Sequence, residues 1–278
     1  MDNSYKQIVK EYSRLLKNTT HIPQKEVEIL LLHILQKNVI WLHINYDKIC
    51  DEKVSRQLKA LVEKRATNYP IEYITSKASF YGETFIVEDG VLIPRPETEI
   101  LVEKAQVILE KLSSPKVIEV GVGSGIVSVM LALLVDDIQI VAVDINQKAL
   151  DLAKQNAIKH KVEDKITFIK SDIFEEINIK EFDMCISNPP YIANNYKLPS
   201  NVKYEPSNAL FGGNIGDELL KRIILDTNAN KIKFLLCEMG YDQQKSLTVV
   251  LDTFNTKKVE FYKDLDGFDR GFEVEFLY

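Results

Sequence analysis

Residues 188–191 read Asn-Pro-Pro-Tyr and follow directly on the apolar run FDMCIS (182–187). Asn-Pro and Pro-Pro are ordinary chain breakers, so a tight exit turn from a buried strand is one adequate explanation. The residue types also permit chemistry. An amide or aromatic amine has a delocalised nitrogen lone pair and is a poor nucleophile. The Asn188 side-chain oxygen and a proline backbone carbonyl, from Pro189 or Pro190, could accept the two hydrogens of such a planar –NH2 group. Prolines donate no backbone N–H, so their carbonyls face a ligand without a competing donor. Holding both hydrogens localises electron density on nitrogen and aims it at an electrophile, and Tyr191 could pack on the flat face of the substrate. Such catalysis is mainly positioning, worth ~7–11 kcal/mol when the geometry is right. It needs no side-chain base. His21, His33, His43 and His160 form no cluster and read as core or surface residues.

Three more stretches carry candidate binding groups. EVGVGSG (119–125) ends an apolar run and opens a helix. Gly121, Gly123 and Gly125 permit a sharp turn and close approach of a ligand, and the helix N-terminus offers N–H groups to an anion. The dinucleotide fingerprint would need glycine or alanine at 126, where Ile126 stands, and the Gly-Lys-Ser/Thr of a P-loop is absent. Ser124 lacks the flanking glycines of a nucleophile elbow. A turn without a ligand stays possible. Asp144 ends the run IVAVD and either accepts the hydroxyls of a ribose or caps the next helix. Asp172, in SDIF (171–174), either accepts from an adenine amino group or caps a loop.

These residues need elements to hold them. From residue 116 onward short apolar runs alternate with amphipathic helices: strands KVIEV, IQIVAVD, ITFIK, FDMCIS and FLLCEM, helices GIVSVMLALL and QKALDLAKQNAIK. That alternation predicts a parallel sheet covered by helices, and KVEFYKDLDGFDRGFEVEFLY adds two strands as an antiparallel edge. All the candidate groups then fall at carboxyl ends of strands, where an open α/β sheet binds ligands. RPETEILVEKAQVILEKL reads as a helix entered through Pro96. FYGETFIVEDGVLIP reads as a hairpin with an Asp89-Gly90 turn, bridging to an earlier part. Residues 3 to 75 read as helices in a small antiparallel bundle, with Ile8, Tyr12, Leu15 and Leu16 on one face of the first. The expected division is a helical domain over 1–76, a hairpin linker over 77–95 and a catalytic domain over 96–278.

Of 278 residues, 45% are hydrophobic and 27% charged, as in globular proteins with a real core. The polar start MDNSYKQIVK is not expected to be a secretory signal, and no apolar run is long enough for a bilayer. Cys50, Cys185 and Cys237 have no metal spacing; the last two lie in apolar runs as packed thiols, pointing to the reducing cytosol. Residues 1–94 carry 13 Lys/Arg and 12 Asp/Glu, a balance of +1, whereas residues 95–278 carry 22 and 29, a balance of −7. A protein that grips phosphate backbones usually shows the opposite bias, so direct nucleic-acid binding is not expected.

In their order, EVGVGSG, Asp144, SDIF and NPPY resemble the class I S-adenosylmethionine-dependent methyltransferases. Asn-Pro-Pro-Tyr narrows the likeness to enzymes that methylate planar nitrogens, of nucleic-acid adenines or of protein glutamines. LIPRPETE (92–99), YEPSNALFGG (204–213) and CEMGYDQ (237–243), with the helical region and hairpin, resemble the HemK/PrmC family of protein-(glutamine-N5) methyltransferases. The resemblance implies a Rossmann-like, seven-stranded, mostly parallel sheet. It implies methylation of the Gly-Gly-Gln glutamine of class I peptide chain release factors in the cytoplasm, by a monomer with no membrane attachment. S-adenosyl-L-methionine would be the donor and S-adenosyl-L-homocysteine the product, and the helical domain would help hold the protein substrate. A ribosomal-protein glutamine, or an adenine amino group, is the alternative acceptor. Carried over, the cofactor site falls on Glu119, Gly121, Val122, Gly123, Ser124, Gly125, Asp144, Asp172, Ile173 and Asn188. The catalytic and substrate-binding turn falls on Asn188, Pro189, Pro190 and Tyr191. Two departures stand out: Ile173, where some relatives have an aromatic residue, and NIGDELL after Gly213, where relatives have a more compact Gly-Asp-Gly turn. Glu97, Glu99 and Glu205 receive no role beyond helix capping for the first two.

Overall fold

The apolar runs from residue 116 onward pair into one seven-stranded sheet in the computed structural model of the chain, which describes residues 4–177 and 181–278. Its strands are β3 (Lys116–Val120), β4 (Gln139–Asp144), β5 (Ile166–Lys170), β6 (Met184–Ser187), β9 (Phe234–Glu238), β10 (Thr256–Lys263) and β11 (Asp269–Phe276). The order is β10-β11-β9-β6-β3-β4-β5; the five strands from β9 to β5 are parallel, and β11 runs antiparallel to β9. Between them lie helices α7 (Ile126–Leu134), α8 (Gln147–His160), α9 (Glu218–Ala229) and α10 (Gln244–Leu251), with α6 (Thr98–Leu109) before β3. β6 and β9 are buried along their whole length, which is why their sequences read as unbroken apolar runs and not as alternation. One apolar cluster packs α6, α7 and α8 on one face of the sheet, and a second packs α9 and α10 on the other. Each fully buried Val, Leu, Ile or Phe in them contributes roughly 1.5–3 kcal/mol.

The chain separates into two units, residues 1–77 with 198–204, and residues 78–197 with 205–278. The first holds α1 (Tyr5–Ser13), α2 (Pro23–Leu35), α3 (Val39–Asn45), α4 (Glu52–Ala66) and α5 (Ile71–Thr75). Asp51 caps α4 by accepting from the Lys53 N–H at 2.7 Å, and Asn38 caps α3 through the Trp41 N–H at 2.9 Å. Ile8, Val9, Leu16, Val27, Leu30, Leu31, Leu42, Leu58 and Val62 make its core. Leu15, expected on the inner face, is exposed; the chain tightens to a 3-10 turn at Arg14–Leu16, which rotates Leu15 outward and Leu16 inward. Asn3, the first residue of the helical reading, lies outside the described residues. Within this bundle Arg65 of α4 donates twice to the Glu26 carboxylate of α2, at 2.7 and 3.1 Å, with both side chains buried. Tyr204 belongs here by contact: its hydroxyl donates to the Thr67 carbonyl at 2.9 Å and its ring meets Tyr69 edge-on at 5.1 Å.

The hairpin is present as β1 (Lys77–Phe80) and β2 (Glu83–Ile86), but Tyr81 and Gly82 close it, both at positive φ, in place of Asp89-Gly90. Two left-handed residues suit the twist of a hairpin, and a tyrosine there gives little warning of it. The hairpin packs within the second unit. Glu99 accepts from the Tyr81 N–H at 2.7 Å, and the fully buried Asn156 of α8 exchanges two hydrogen bonds with Ile86 at 2.8 and 2.9 Å. A further parallel pair, β7 (Ile192–Ala193) with β8 (Phe211–Gly213), was not foreseen. No single described helix is long and apolar enough to cross a membrane, and α2 and α3, which pass that test only as a pair, meet at 98°.

Candidate active site

One row of sheet partners sets the site. Val143, Val120, Ser187 and Cys237 sit level across β4, β3, β6 and β9. The next residues along those strands are Asp144, Gly121, Asn188 and Glu238. Strands β4 and β5 lie to one side of β3 and strands β6 and β9 to the other. The loops leaving β3 and β6 therefore diverge and open a crevice at the carboxyl ends of the strands. It is a cleft of about 790 Å³, its mouth included, lined by Gly121, Gly123, Asp144, Asp172, Ile173, Asn188 and Pro190 among others. A smaller recess of about 350 Å³ is lined by Arg95, Thr98, Glu119, Val122, Ser124 and again Gly121, Gly123 and Asn188. Asn188 thus stands in the wall of both spaces.

The three glycines of the β3–α7 turn have different reasons to be glycine. All have positive φ, at 75°, 53° and 83°. A Cβ on Gly121 or Gly123 would meet nothing within 4 Å, so their bare backbone borders open cleft. A Cβ on Gly125 would lie 2.9 Å from that of Ala153, so this glycine lets α8 pack against the turn. Val122 is buried in the core, and the buried Ser124 offers its carbonyl to Asn156 at 2.8 Å. The helix N-terminus is less free than expected. Glu119 reaches from β3 to accept from both the N–H and the hydroxyl of Ser128. Its burial pushes the carboxyl up to about 8, against those hydrogen bonds.

Asp144 accepts from the Gly123 N–H at 3.1 Å and the Asn146 N–H at 2.8 Å. Burial raises its pKa while those donors lower it. It tightens the turn that begins α8, but Asn146 caps that helix, accepting from Lys148 N–H at 3.0 Å. Each Asp144 oxygen keeps a lone pair for a hydroxyl in the cleft. Asp172 lies at the cleft too, with both oxygens engaged by Arg222 of α9 at 2.9 Å. Its neighbour Ile173 is buried in the cleft wall at φ 52°, a strained conformation for a β-branched residue. Ser171 secures it by donating to its carbonyl at 3.1 Å.

In the Asn188–Tyr191 turn, the Asn188 amide donates to the Thr98 hydroxyl at 2.9 Å, and no described residue donates to its Oδ1. The Pro190 carbonyl is covered: a Cβ on Gly212 would lie 2.3 Å from it. Pro189 is buried, and its carbonyl accepts from no described group. Tyr191 is placed otherwise than expected. Its ring packs against the apolar cluster under α9 and α10, and its hydroxyl donates to Glu238 at 2.9 Å, so it braces the turn instead of offering a face to a substrate.

Residues 7–75 match the family model described as the PrmC N-terminal domain, and residues 96–203 the one described as the methyltransferase small domain. A release factor glutamine methyltransferase of Dictyoglomus turgidum is 37% identical over 257 residues, covering 90% of each chain. One from Aquifex aeolicus is 32% identical and covers 92% of each chain. The chain belongs to the HemK/PrmC family. A bifunctional methyltransferase of Rickettsia conorii is 33% identical over 97% of this chain and 57% of its own length. Among solved structures, the METTL16 catalytic domain bound to the MAT2A 3′UTR hairpin 1 aligns at TM-score 0.56 and 16% identity, over 99% of this chain and 91% of that one. That likeness shows the class I methyltransferase fold.

In this HemK/PrmC chain several site residues were not legible in the sequence. Thr98 donates to Glu238 at 2.7 Å, Arg270 donates to the Tyr191 hydroxyl at 3.4 Å, and Gln243 donates to the Tyr191 carbonyl at 2.8 Å. Glu205 accepts from Arg95 at 2.5 Å and from the Ile93 N–H at 3.0 Å, fixing a guanidinium in the recess wall. The loop after Gly213 folds around Glu218, which accepts from the Ile215 N–H at 3.0 Å and the Gly216 N–H at 2.8 Å. Gly212 and Gly216 have no room for a side chain because both lie against the backbone of the Pro190–Ala193 segment. The signal available was the glycine and glutamine spacing in FGGNIGDE and EMGYDQ.

Proposed function

We propose that this chain methylates the side-chain amide nitrogen of the glutamine in the Gly-Gly-Gln motif of class I peptide chain release factors, in the cytoplasm, with S-adenosyl-L-methionine as donor. The observation that carries the reading is the position of Asn188 in the wall common to the main cleft and the recess, one strand from the glycine turn. The residues present fit the cofactor. Gly121 and Gly123 leave their backbone open to the cleft, Asp144 keeps acceptor capacity for a ribose, and Ile173 gives an apolar wall for an adenine. S-adenosylmethionine supplies an electrophilic methyl group on a sulfonium and is left as S-adenosylhomocysteine.

Asn188 Oδ1 and the Pro189 carbonyl accept the two hydrogens of the glutamine –NH2, holding the nitrogen lone pair toward the cleft. The nitrogen exchanges one hydrogen for the methyl group. The proton becomes acidic only as the new N–C bond forms, so it passes to solvent without a strong side-chain base. The helical unit, residues 1–77 with 198–204, serves protein-substrate recognition. The names of the relatives from Dictyoglomus turgidum and Aquifex aeolicus support the release factor as acceptor. The −7 balance of residues 95–278 opposes a nucleic acid. The test is incubation of purified release factor with tritium-labelled S-adenosylmethionine. Label and a one-methyl mass shift are expected on the Gly-Gly-Gln peptide, and neither with Asn188→Ala. Cofactor binding without transfer to the release factor rejects the reading.

A further inference from the structure

A carboxamide is nearly symmetric in shape, and its two ends have opposite hydrogen-bonding character. A site that must accept two hydrogens fails if its asparagine turns over. Around Asn188 the structure contains a chain of groups that decides the matter. Glu238, level with Asn188 on the neighbouring strand and fully buried, accepts at both oxygens: Oε2 from the Thr98 hydroxyl at 2.7 Å, Oε1 from the Tyr191 hydroxyl at 2.9 Å. Burial raises the Glu238 carboxyl above its ordinary value, while the Thr98 and Tyr191 hydrogen bonds and the Arg270 charge hold it down. With both oxygens accepting, the Thr98 hydrogen is committed to it. The Thr98 oxygen is then left as an acceptor, and only the –NH2 end of Asn188 satisfies it, at 2.9 Å. On the other side Arg270, itself paired with Asp264 at 2.8 Å, donates to the Tyr191 hydroxyl at 3.4 Å, so that hydroxyl also points its hydrogen at Glu238. Every donor in the chain runs toward one carboxylate.

We infer that Glu238 and Thr98 form a positioning relay that fixes the Asn188 carboxamide with its oxygen toward the cleft, and so sets the site to receive an –NH2 group. This rests on the glutamine reading above. Neither residue touches the substrate. Glu238→Gln keeps the shape but lets the relay reverse. With Arg270 still directing the Tyr191 hydrogen to one end, the new –NH2 faces Thr98. Thr98 then donates to Asn188, and the Asn188 –NH2 turns to the cleft. A donor there repels the glutamine –NH2 and welcomes a carboxylate.

The experiment measures kcat, cofactor affinity, melting temperature and binding of Gly-Gly-Gln and Gly-Gly-Glu release factors. It compares wild type, Glu238→Gln, Thr98→Val and Thr98→Ser. Glu238→Gln should lose about 100-fold in kcat, the scale of a misplaced positioning group, with cofactor affinity and melting temperature held. Its preference for Gly-Gly-Gln over Gly-Gly-Glu should shrink or invert. Thr98→Val should lose about tenfold or more in kcat, and Thr98→Ser should recover most of that. Wild-type kcat in Glu238→Gln, or a loss of kcat with an unaltered Gln-to-Glu preference, overturns the relay. The Asn188 –NH2 resonances in 15N-labelled protein, assigned with Asn188→Asp, read the same orientation without any substrate. They should shift in Glu238→Gln and Thr98→Val and keep their wild-type positions in Thr98→Ser; no shift in the first two overturns the relay. A wild type inert toward release factor would reject the glutamine reading alone, because the resonances still decide the relay.

Discussion

Glu119 holds a proton at neutral pH because burial carries its carboxyl up to about 8. Its folded value lies above the ordinary 4.5, so the folded chain binds the proton more tightly than the unfolded one. The stability from that linkage is full below about 4.5 and is lost as the pH rises through about 8. Glu119→Gln copies the protonated shape and cannot ionise. Melting curves from about pH 4.5 to about pH 8 should show the wild type falling relative to Glu119→Gln and levelling off above that range; parallel profiles would sink the idea. The glycines divide in the same way. Gly125→Ala adds a left-handed strain of ~1–2 kcal/mol to overpacking against Ala153 of ~1–3 kcal/mol, and calorimetry should find most of that sum. Gly123→Ala has the strain alone, since no atom lies within 4 Å of the added carbon, and should lose cofactor affinity instead. Asp144 and Asn188 were legible from sequence because strand ends are. Thr98 and Glu238 were not: they stand 140 residues apart, and only the packing of α6 against β9 brings them together.

At the scale of elements, the Asn188–Tyr191 turn is a clamped object. Gly212 closes over the Pro190 carbonyl, Gly216 over the Tyr191 carbonyl, and the Gln243 amide holds the latter from the entry of α10. Gly212→Ala must displace the turn, because its new carbon would sit 2.3 Å from a backbone oxygen. Methyl transfer should fall about 100-fold, as for an ~1 Å displacement of reacting groups, with cofactor affinity, measured by calorimetry, falling far less. An unchanged kcat would mean that the turn is looser than its packing. Four of the five parallel strands were readable because burial on both faces leaves near-continuous apolar runs, whereas β5 is a part-exposed edge, and α8 has helical spacing. The hairpin turn at Tyr81-Gly82 was misplaced because the Asp89-Gly90 pair had the stronger local signal. The pair of β7 and β8 was invisible because strands of two and three residues carry no periodicity.

Over the whole molecule, every residue lining the cleft belongs to the unit of residues 78–197 and 205–278. The buried Arg65–Glu26 pair belongs to the other. Glu26→Ala leaves a buried guanidinium without its partner, at a cost of about 3–5 kcal/mol to that bundle. Cofactor affinity should then stay within about twofold, a shift under ~0.5 kcal/mol, while release factor methylation falls. Equal losses of both would refute a division of labour between the units. Composition could not show that the chain returns to the first unit at residues 198–204.

That return has a consequence for anyone who would shorten the protein. Tyr204 is held by Thr67 and Tyr69, so cutting away residues 1–77 strips the segment of its hydroxyl acceptor and its ring partner together. The remnant would carry a slack loop with Lys197 and Lys203 at its ends, and trypsin should nick it there first, severing the chain a few residues beyond its catalytic turn.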